Sequence, residues 1–285
     1  MPSAYYLTLS CENRPGIVAA VASCLFQAGG NILEAQQFDD VISGRFFMRV
    51  SFDFDCDISD AVLREQLSPV ATRYAMRWSL RAQNHKQRVL ILVSKYDHCL
   101  VDLLYRLRIG ELPMTVVGVV SNHAKELLNL SLLGEIPYDH LPITPATKTQ
   151  QEARIKAIVE ERQAELIVLA RYMQILSDDM AAYLSGRCIN IHHSFLPGFK
   201  GAKPYTQAFE RGVKMIGATA HYVTGDLDEG PIIEQRTEAV RHSDMPETLE
   251  RKGRDIERQV LAQAVLNHLE NRVLINGAKT VVFGE

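Results

Sequence analysis

Asn190 and His192 lie two residues apart, directly after the apolar end of a strand-like run. Residues i and i+2 of an extended segment point to the same face, so the amide and the imidazole are expected to look into one cleft. There an amide N–H can donate to a developing oxyanion and an imidazole can move a proton. The turn Ser194-Phe195-Leu196-Pro197-Gly198 then stops the strand and carries the backbone away. A third candidate, Asp228, stands downstream in the string His221-Tyr222-Val223-Thr224-Gly225-Asp226-Leu227-Asp228-Glu229-Gly230-Pro231-Ile232. Together the three form a candidate active site.

Periodicity places this set in the second of two expected domains. Residues 1–83 read in the order βαββαβ, with strands near 5–9, 32–38, 45–54 and 76–80 and helices near 17–28 and 58–74. In the first helix Val18, Val21, Ala22 and Leu25 have the spacing of an apolar stripe, and Gly29-Gly30 ends it. That order predicts a ferredoxin-like α+β sandwich. The polar stretch 81–87 reads as a linker. Residues 84–285 are expected to form an α/β domain, because the runs 89–93, 115–120 and 166–170 suit strands buried on both faces. Helical segments fall at 100–108, 125–128 and 151–163. An open doubly wound, mostly parallel sheet carries its sites at the carboxyl ends of the strands, where Asn190 and His192 fall.

Composition narrows the function classes. With 47% hydrophobic and 23% charged residues, the 285-residue chain has the balance of a globular protein. A net charge of −3 gives no electrostatic reason to expect nucleic acid as a partner. The opening lacks the basic and apolar regions of a signal peptide, and the apolar runs are far too short to cross a membrane. The five cysteines are an odd number with no C-x-x-C pair, which fits reduced thiols better than a disulfide framework or a structural zinc site. A cytoplasmic location is expected, with no membrane partner and no metal.

The string His192-His193-Ser194-Phe195-Leu196-Pro197-Gly198-Phe199-Lys200-Gly201 resembles the H-x-S-x-L-P-x-x-x-G signature of folate-dependent formyltransferases at every fixed position. Leu169-Ala170-Arg171-Tyr172-Met173-Gln174-Ile175-Leu176 is similar to that family's folate-binding segment, and the Asp228 string to its H-x-V-x-x-x-x-D-x-G-P-I block. The resemblance implies that Asn190, His192 and Asp228 are the catalytic set. It also implies that Met173, Gln174, Leu176 and Gly230 bind the folate, and that His221 supports the Asp228 loop. Taken singly, an Asn before a turn is ordinarily a cap and a His near an apolar strand ordinarily structural; the joint occurrence reverses that. His193 is expected to face away from the cleft. Ser194 has no base beside it and is read as bracing the turn rather than as a nucleophile.

The acceptor end decides what attacks the formyl group. Glycinamide ribonucleotide transformylases carry a Gly-rich turn after the first strand of this domain, with backbone N–H groups on the substrate phosphate. Here that stretch is Ser94-Lys95-Tyr96-Asp97-His98-Cys99-Leu100, with no glycine and an added acid. Its K-x-x-H-C-L string instead resembles the formyltetrahydrofolate deformylases, which implies water as acceptor, 10-formyltetrahydrofolate as substrate, formate for purine synthesis, and His98 and Cys99 near the vacated acceptor pocket. No tightly bound cofactor is implied. Cys11-Glu12-Asn13-Arg14-Pro15-Gly16-Ile17-Val18 is similar to the D-R-P-G-I-V turn of ACT domains, with Asn in place of Asp. That likeness implies a regulatory domain, a homo-oligomer (dimer or tetramer), and a candidate site for an amino-acid effector, glycine or methionine, at Asn13, Gly16 and Ile17. Two alternatives keep the same fold: a formyltransferase with an unidentified amine acceptor, and a non-catalytic folate or amino-acid sensor.

Overall fold

The computed structural model describes residues 3–128, 131–196 and 204–284. The chain divides into two units. The first holds Met1–Lys86 with Glu270–Asn276 and Val281–Glu285, and the second holds Gln87–Leu269 with Gly277–Thr280. The segments after residue 269 thus differ from the expectation that everything beyond residue 83 belongs to the second domain.

The first unit runs β1 (Ser3–Glu12), α1 (Ile17–Gln27), β2 (Asn31–Asp40), β3 (Arg45–Phe54), α2 (Asp60–Arg73) and β4 (Arg77–Ala82). Its antiparallel sheet has the order β2-β3-β1-β4. Alternate residues Tyr5, Leu7 and Leu9 of β1 and Met48, Val50 and Phe52 of β3 meet the stripes Ile17, Val21, Leu25 of α1 and Leu63, Leu67 of α2. A period of two on the strands and of three to four on the helices therefore close one core. Gly16 opens α1 at φ 90°, a left-handed conformation that glycine adopts without penalty. Ser59 caps α2 by accepting from the Val62 amide. On the opposite face the fully buried Arg49 donates to Glu34 at 2.5 Å and to the Glu270 carbonyl at 3.2 Å, which ties the late segment into this unit. The expected linker is shorter than 81–87, because β4 extends to Ala82.

The second unit runs β5 (Gln87–Val93), α3 (His98–Arg108), β6 (Met114–Ser121), β7 (Tyr138–His140), α4 (Lys148–Glu161), β8 (Leu166–Leu169), α5 (Asp178–Tyr183), β9 (Cys188–His192), α6 (Pro204–Glu210), β10 (Met215–Tyr222), β11 (Ile232–Ala239) and α7 (Pro246–Leu269). The helix expected at 125–128 is a single 3₁₀ turn, Lys125–Leu127. The sheet order is β11-β10-β9-β8-β5-β6-β7; β9 through β7 are parallel, and β10 and β11 complete it antiparallel. Leu90 and Leu92 of β5 pack with Ile155, Ile158 and Val159 of α4, while Val89, Ile91 and Val93 are equally inaccessible on the other face. Helix α7 covers β9, β10 and β11 and packs on α3. The chain adds β6 and β7 on one side of β5 and then returns to β8 on the other. The carboxyl ends of β5 and β8 therefore flank the switch point at which doubly wound sheets hold ligands.

Ile91 is fully inaccessible in the central strand. Ile91→Ala is expected to lower stability by about 2–5 kcal/mol, seen as a reduced thermal midpoint; an unchanged midpoint would contradict this packing.

Candidate active site

Strand β9 lies between β8 and β10, and its antiparallel register with β10 sets Asn190 opposite His221 and His192 opposite Thr219. Asn190 Nδ2 is 3.3 Å from His221 Nε2. His221 Nδ1 is 2.9 Å from the Tyr222 carbonyl and must donate to it, so in the neutral ring Nε2 accepts from the amide. That bond fixes which way the Asn190 side chain faces. Beyond β10 the loop returns Asp228, at a left-handed φ of 58° that few non-glycine residues adopt, so that Oδ1 lies 3.2 Å from His192 Nδ1 and 3.8 Å from His221 Nε2. Burial alone would raise the Asp228 carboxyl, but the hydrogen bond from His192 and the neighbouring His221 ring outweigh it and hold the group well below the usual carboxylate range. An ionised Asp228 keeps the His192 proton on Nδ1. Nε2 of His192, which is buried and has no partner among the described residues, is left to take a proton.

A cavity of about 310 Å³ opens against this set. Asn190, His192, His221 and Asp228 line it together with Met173, Gln174, Ile175 and Leu176. Met173 and Ile175 are 50% and 61% exposed, apolar side chains presented to whatever enters. The segment is pinned at both ends. Tyr172 donates to Gln151 Oε1 at 3.0 Å, and Gln151 Nε2 donates to the Leu141 carbonyl at 2.5 Å. Glu152 accepts from the Ser177 amide at 2.8 Å and from its hydroxyl at 2.5 Å, while the Ser177 oxygen caps α5 by accepting from Met180 N at 3.2 Å. The Met173 amide donates to Ser94 Oγ at 3.0 Å. Gln151 and Glu152 escape sequence reading because they sit in a helix that otherwise looks polar and solvated.

The remaining expected residues are placed as follows. Gly230 lies outside the cavity lining, and a Cβ there would stand 1.7 Å from the Tyr222 carbonyl oxygen and 3.1 Å from His221 Nδ1, so close backbone approach calls for glycine here. His193 lines the cavity, contrary to expectation, because β9 and its alternation end at His192; the two rings are 5.1 Å apart. The signature turn is braced by Thr219, whose hydroxyl donates to the Ser194 carbonyl at 2.9 Å and accepts from the Leu196 amide at 3.1 Å, whereas the buried Ser194 hydroxyl has no partner among the described residues. The signature's end, from Pro197 to Gly201, lies outside the described residues. In the first unit Ile17 is core, the Asn13 amide donates to the Gly44 carbonyl at 3.0 Å, and Gly16 is exposed.

His98 and Cys99 do not line this cavity; they adjoin the buried Glu257. Among the described residues His98 Nε2, Cys99 Sγ and a Glu257 oxygen fall within 4.8 Å of one another, a spacing open to a metal ion. The donor chemistry is unfavourable to one. Arg171 Nε is 3.3 Å from the same carboxylate oxygen, and burial, with the Glu257 charge, pushes the Cys99 thiol well up. The set suits a hydrogen-bonded core.

Two family models match the chain, an ACT domain over residues 5–68 and a formyl transferase over residues 87–265. A formyltetrahydrofolate deformylase from Corynebacterium sp. (strain P-1) is 50% identical over 280 residues, covering 98% of this chain and 97% of that protein. A crystal structure of a formyltetrahydrofolate deformylase from Burkholderia mallei superposes with a TM-score of 0.93 at 51% identity, covering 99% of this chain and 100% of that one. A glycinamide ribonucleotide transformylase from Symbiobacterium toebii gives a TM-score of 0.65 at 32% identity, covering 72% of this chain and 98% of that one.

Two outcomes follow from the geometry. Because the Asp228 pKa is depressed on folding, its stabilisation is present above the ordinary carboxyl value of about 4 and is lost as pH falls through the folded value. Asp228→Asn should therefore lose thermal stability less steeply than wild type below about pH 4; an unchanged acid slope contradicts the pairing. Gly230→Ala should lower the thermal midpoint by displacing Tyr222 and His221, while Gly225→Ala, whose Cβ meets only Asp178 Oδ1 at 4.0 Å, should leave it unchanged.

Proposed function

The chain belongs to the formyltetrahydrofolate deformylase family, and on that premise we propose that Asn190, His192 and Asp228 hydrolyse the formyl C–N bond of 10-formyltetrahydrofolate, giving formate and tetrahydrofolate. The observation that carries the reading is the line Asp228–His192–cavity, with Asn190 on the same wall. Water adds its oxygen to the formyl carbon, and His192 Nε2 takes the proton it loses. The carbonyl oxygen becomes an oxyanion that accepts from Asn190 Nδ2, held in orientation by His221. Collapse breaks the C–N bond as His192 returns the proton to the leaving nitrogen. Asp228 stays ionised throughout, holding the ring and balancing the transient imidazolium.

In this reading Met173, Gln174 and Leu176 receive the pterin, with the exposed Met173 and Ile175 side chains against its flat faces. Formate released in this way supplies purine synthesis and keeps the one-carbon pool in balance. The first unit is regulatory: its turn at Asn13 and Gly16 takes a small amino acid, glycine or methionine, and the unit pairs copies of the chain into a cytoplasmic dimer or tetramer.

Purified protein given 10-formyltetrahydrofolate and no added acceptor should release formate and tetrahydrofolate in equal amounts. Binding without turnover, or turnover only with an added amine, contradicts the reading. Asn190→Ala should lower kcat by roughly 10²–10³. His192→Ala and Asp228→Asn should each remove most of kcat in protein that remains folded, and near-wild-type formate release from His192→Ala would overturn the mechanism.

A further inference from the structure

The chain leaves β8 at Leu169 and enters α5 at Asp178, and the segment 170–177 between them is neither helix nor strand. It has no ladder of its own to hold it, yet it carries Met173, Gln174, Ile175 and Leu176 into the cavity lining. Near its start Arg171 is left-handed at φ 63°, a conformation that non-glycine residues keep only where the surroundings impose it. Neighbouring elements do so. Ser94, buried just after β5, donates its amide to the Arg171 carbonyl at 3.2 Å and accepts from the Met173 amide at 3.0 Å. Its hydroxyl is itself oriented, because it donates to Asn122 Oδ1 at 2.7 Å. Two successive residues of α4 complete the hold. Gln151 accepts from the Tyr172 hydroxyl ahead of the lining residues, and Glu152 accepts from Ser177 after them.

A carboxylate taken out of water must have its oxygens hydrogen-bonded, and Glu152 is 8% exposed. Both of its oxygens are used on one residue, Oε1 on the Ser177 amide at 2.8 Å and Oε2 on the Ser177 hydroxyl at 2.5 Å. One bond reaches the main chain and the other the side chain, so together they fix the position and the direction of Ser177. Ser177 then caps α5 by accepting from the Met180 amide at 3.2 Å. At the other end, burial and the Glu152 charge push the Tyr172 hydroxyl up to about 12, so it remains a donor to Gln151. We infer that Glu152 is a positioning residue for the substrate: it stands outside the cavity lining and acts by holding segment 170–177 in its binding form before any ligand arrives. A segment ordered in advance spares binding the entropy of ordering it. Loss of Glu152 therefore weakens binding and leaves Asn190, His192 and Asp228, on β9 and the loop after β10, as they were. Which ligand gains from this rests on the deformylase reading; the ordering rests on the contacts of α4 alone.

The test sets steady-state kinetics beside amide hydrogen exchange, both on the full chain. Glu152→Ala should raise KM for 10-formyltetrahydrofolate by at least about tenfold, while kcat stays within about twofold of wild type. In the ligand-free variant the amides of residues 173–177 should exchange faster than in wild type, and those of β9 at the wild-type rate. Glu152→Gln keeps an acceptor for the Ser177 amide, so its KM should fall between the wild-type and alanine values; it serves where the alanine variant does not fold. A wild-type KM in the variants, a loss carried by kcat instead, or unchanged exchange across residues 173–177 each overturns the proposal. Absence of formate release from wild type would count against the hydrolase reading, and the exchange comparison would still decide whether Glu152 orders the segment.

Discussion

Asp228 stands 3.2 Å from His192 Nδ1 across the gap between the end of β9 and the loop after β10, and the chemistry of the cleft follows from the charge on that carboxylate. An ionised partner on Nδ1 selects the ring tautomer with a basic Nε2 toward the cavity, and it offsets the imidazolium that forms when a proton arrives. Several features that look unrelated serve this contact. The left-handed backbone at Asp228, a strain of order 1 kcal/mol, brings the carboxylate back over the strand ends. Gly230 lets the returning chain close on the Tyr222 carbonyl, and that carbonyl holds His221 Nδ1. His221 in turn holds Asn190. A chain of short-range constraints on and after β10 thus sets the orientation of both His192 and Asn190 on β9.

Much of this was legible in the sequence, and the reasons are specific. Asn190 and His192 could be placed on one wall because the period of a strand is two, and Asp228 because it sits in a recognisable string. The alternating unit of the first 82 residues was readable from the same periodicities. Alternation misled at His193, because the strand ends one residue earlier and the next side chain turns back into the cavity. The close backbone approach at Gly230 was not legible, because a glycine beside a ligand-binding string and a glycine required by packing look alike in one dimension. Glu257 was invisible: it lies in Arg254-Asp255-Ile256-Glu257-Arg258, which reads as a solvated helical face until α7 is laid against β9 and β10. The late segment that joins the first unit depends on Arg49, a buried cation on a strand whose alternation predicts only that it faces away from the helices.

The apolar part of the cavity lining is held in place by polar anchors outside it. Exposed Met173 and Ile175 stand on a segment anchored by Gln151, Glu152 and Ser94, so that this apolar surface is already ordered. Away from this lining, Glu257 is held by hydrogen bonds from His98 and Tyr205.

The oxygen of the product formate tests the central claim most directly. Turnover of 10-formyltetrahydrofolate by the wild-type chain in ¹⁸O-labelled water, without any amine, should give formate carrying one solvent oxygen per molecule, with tetrahydrofolate in equal amount. Formate without the label, or no formate until an amine is supplied, would contradict a site in which Asp228 and His192 activate water.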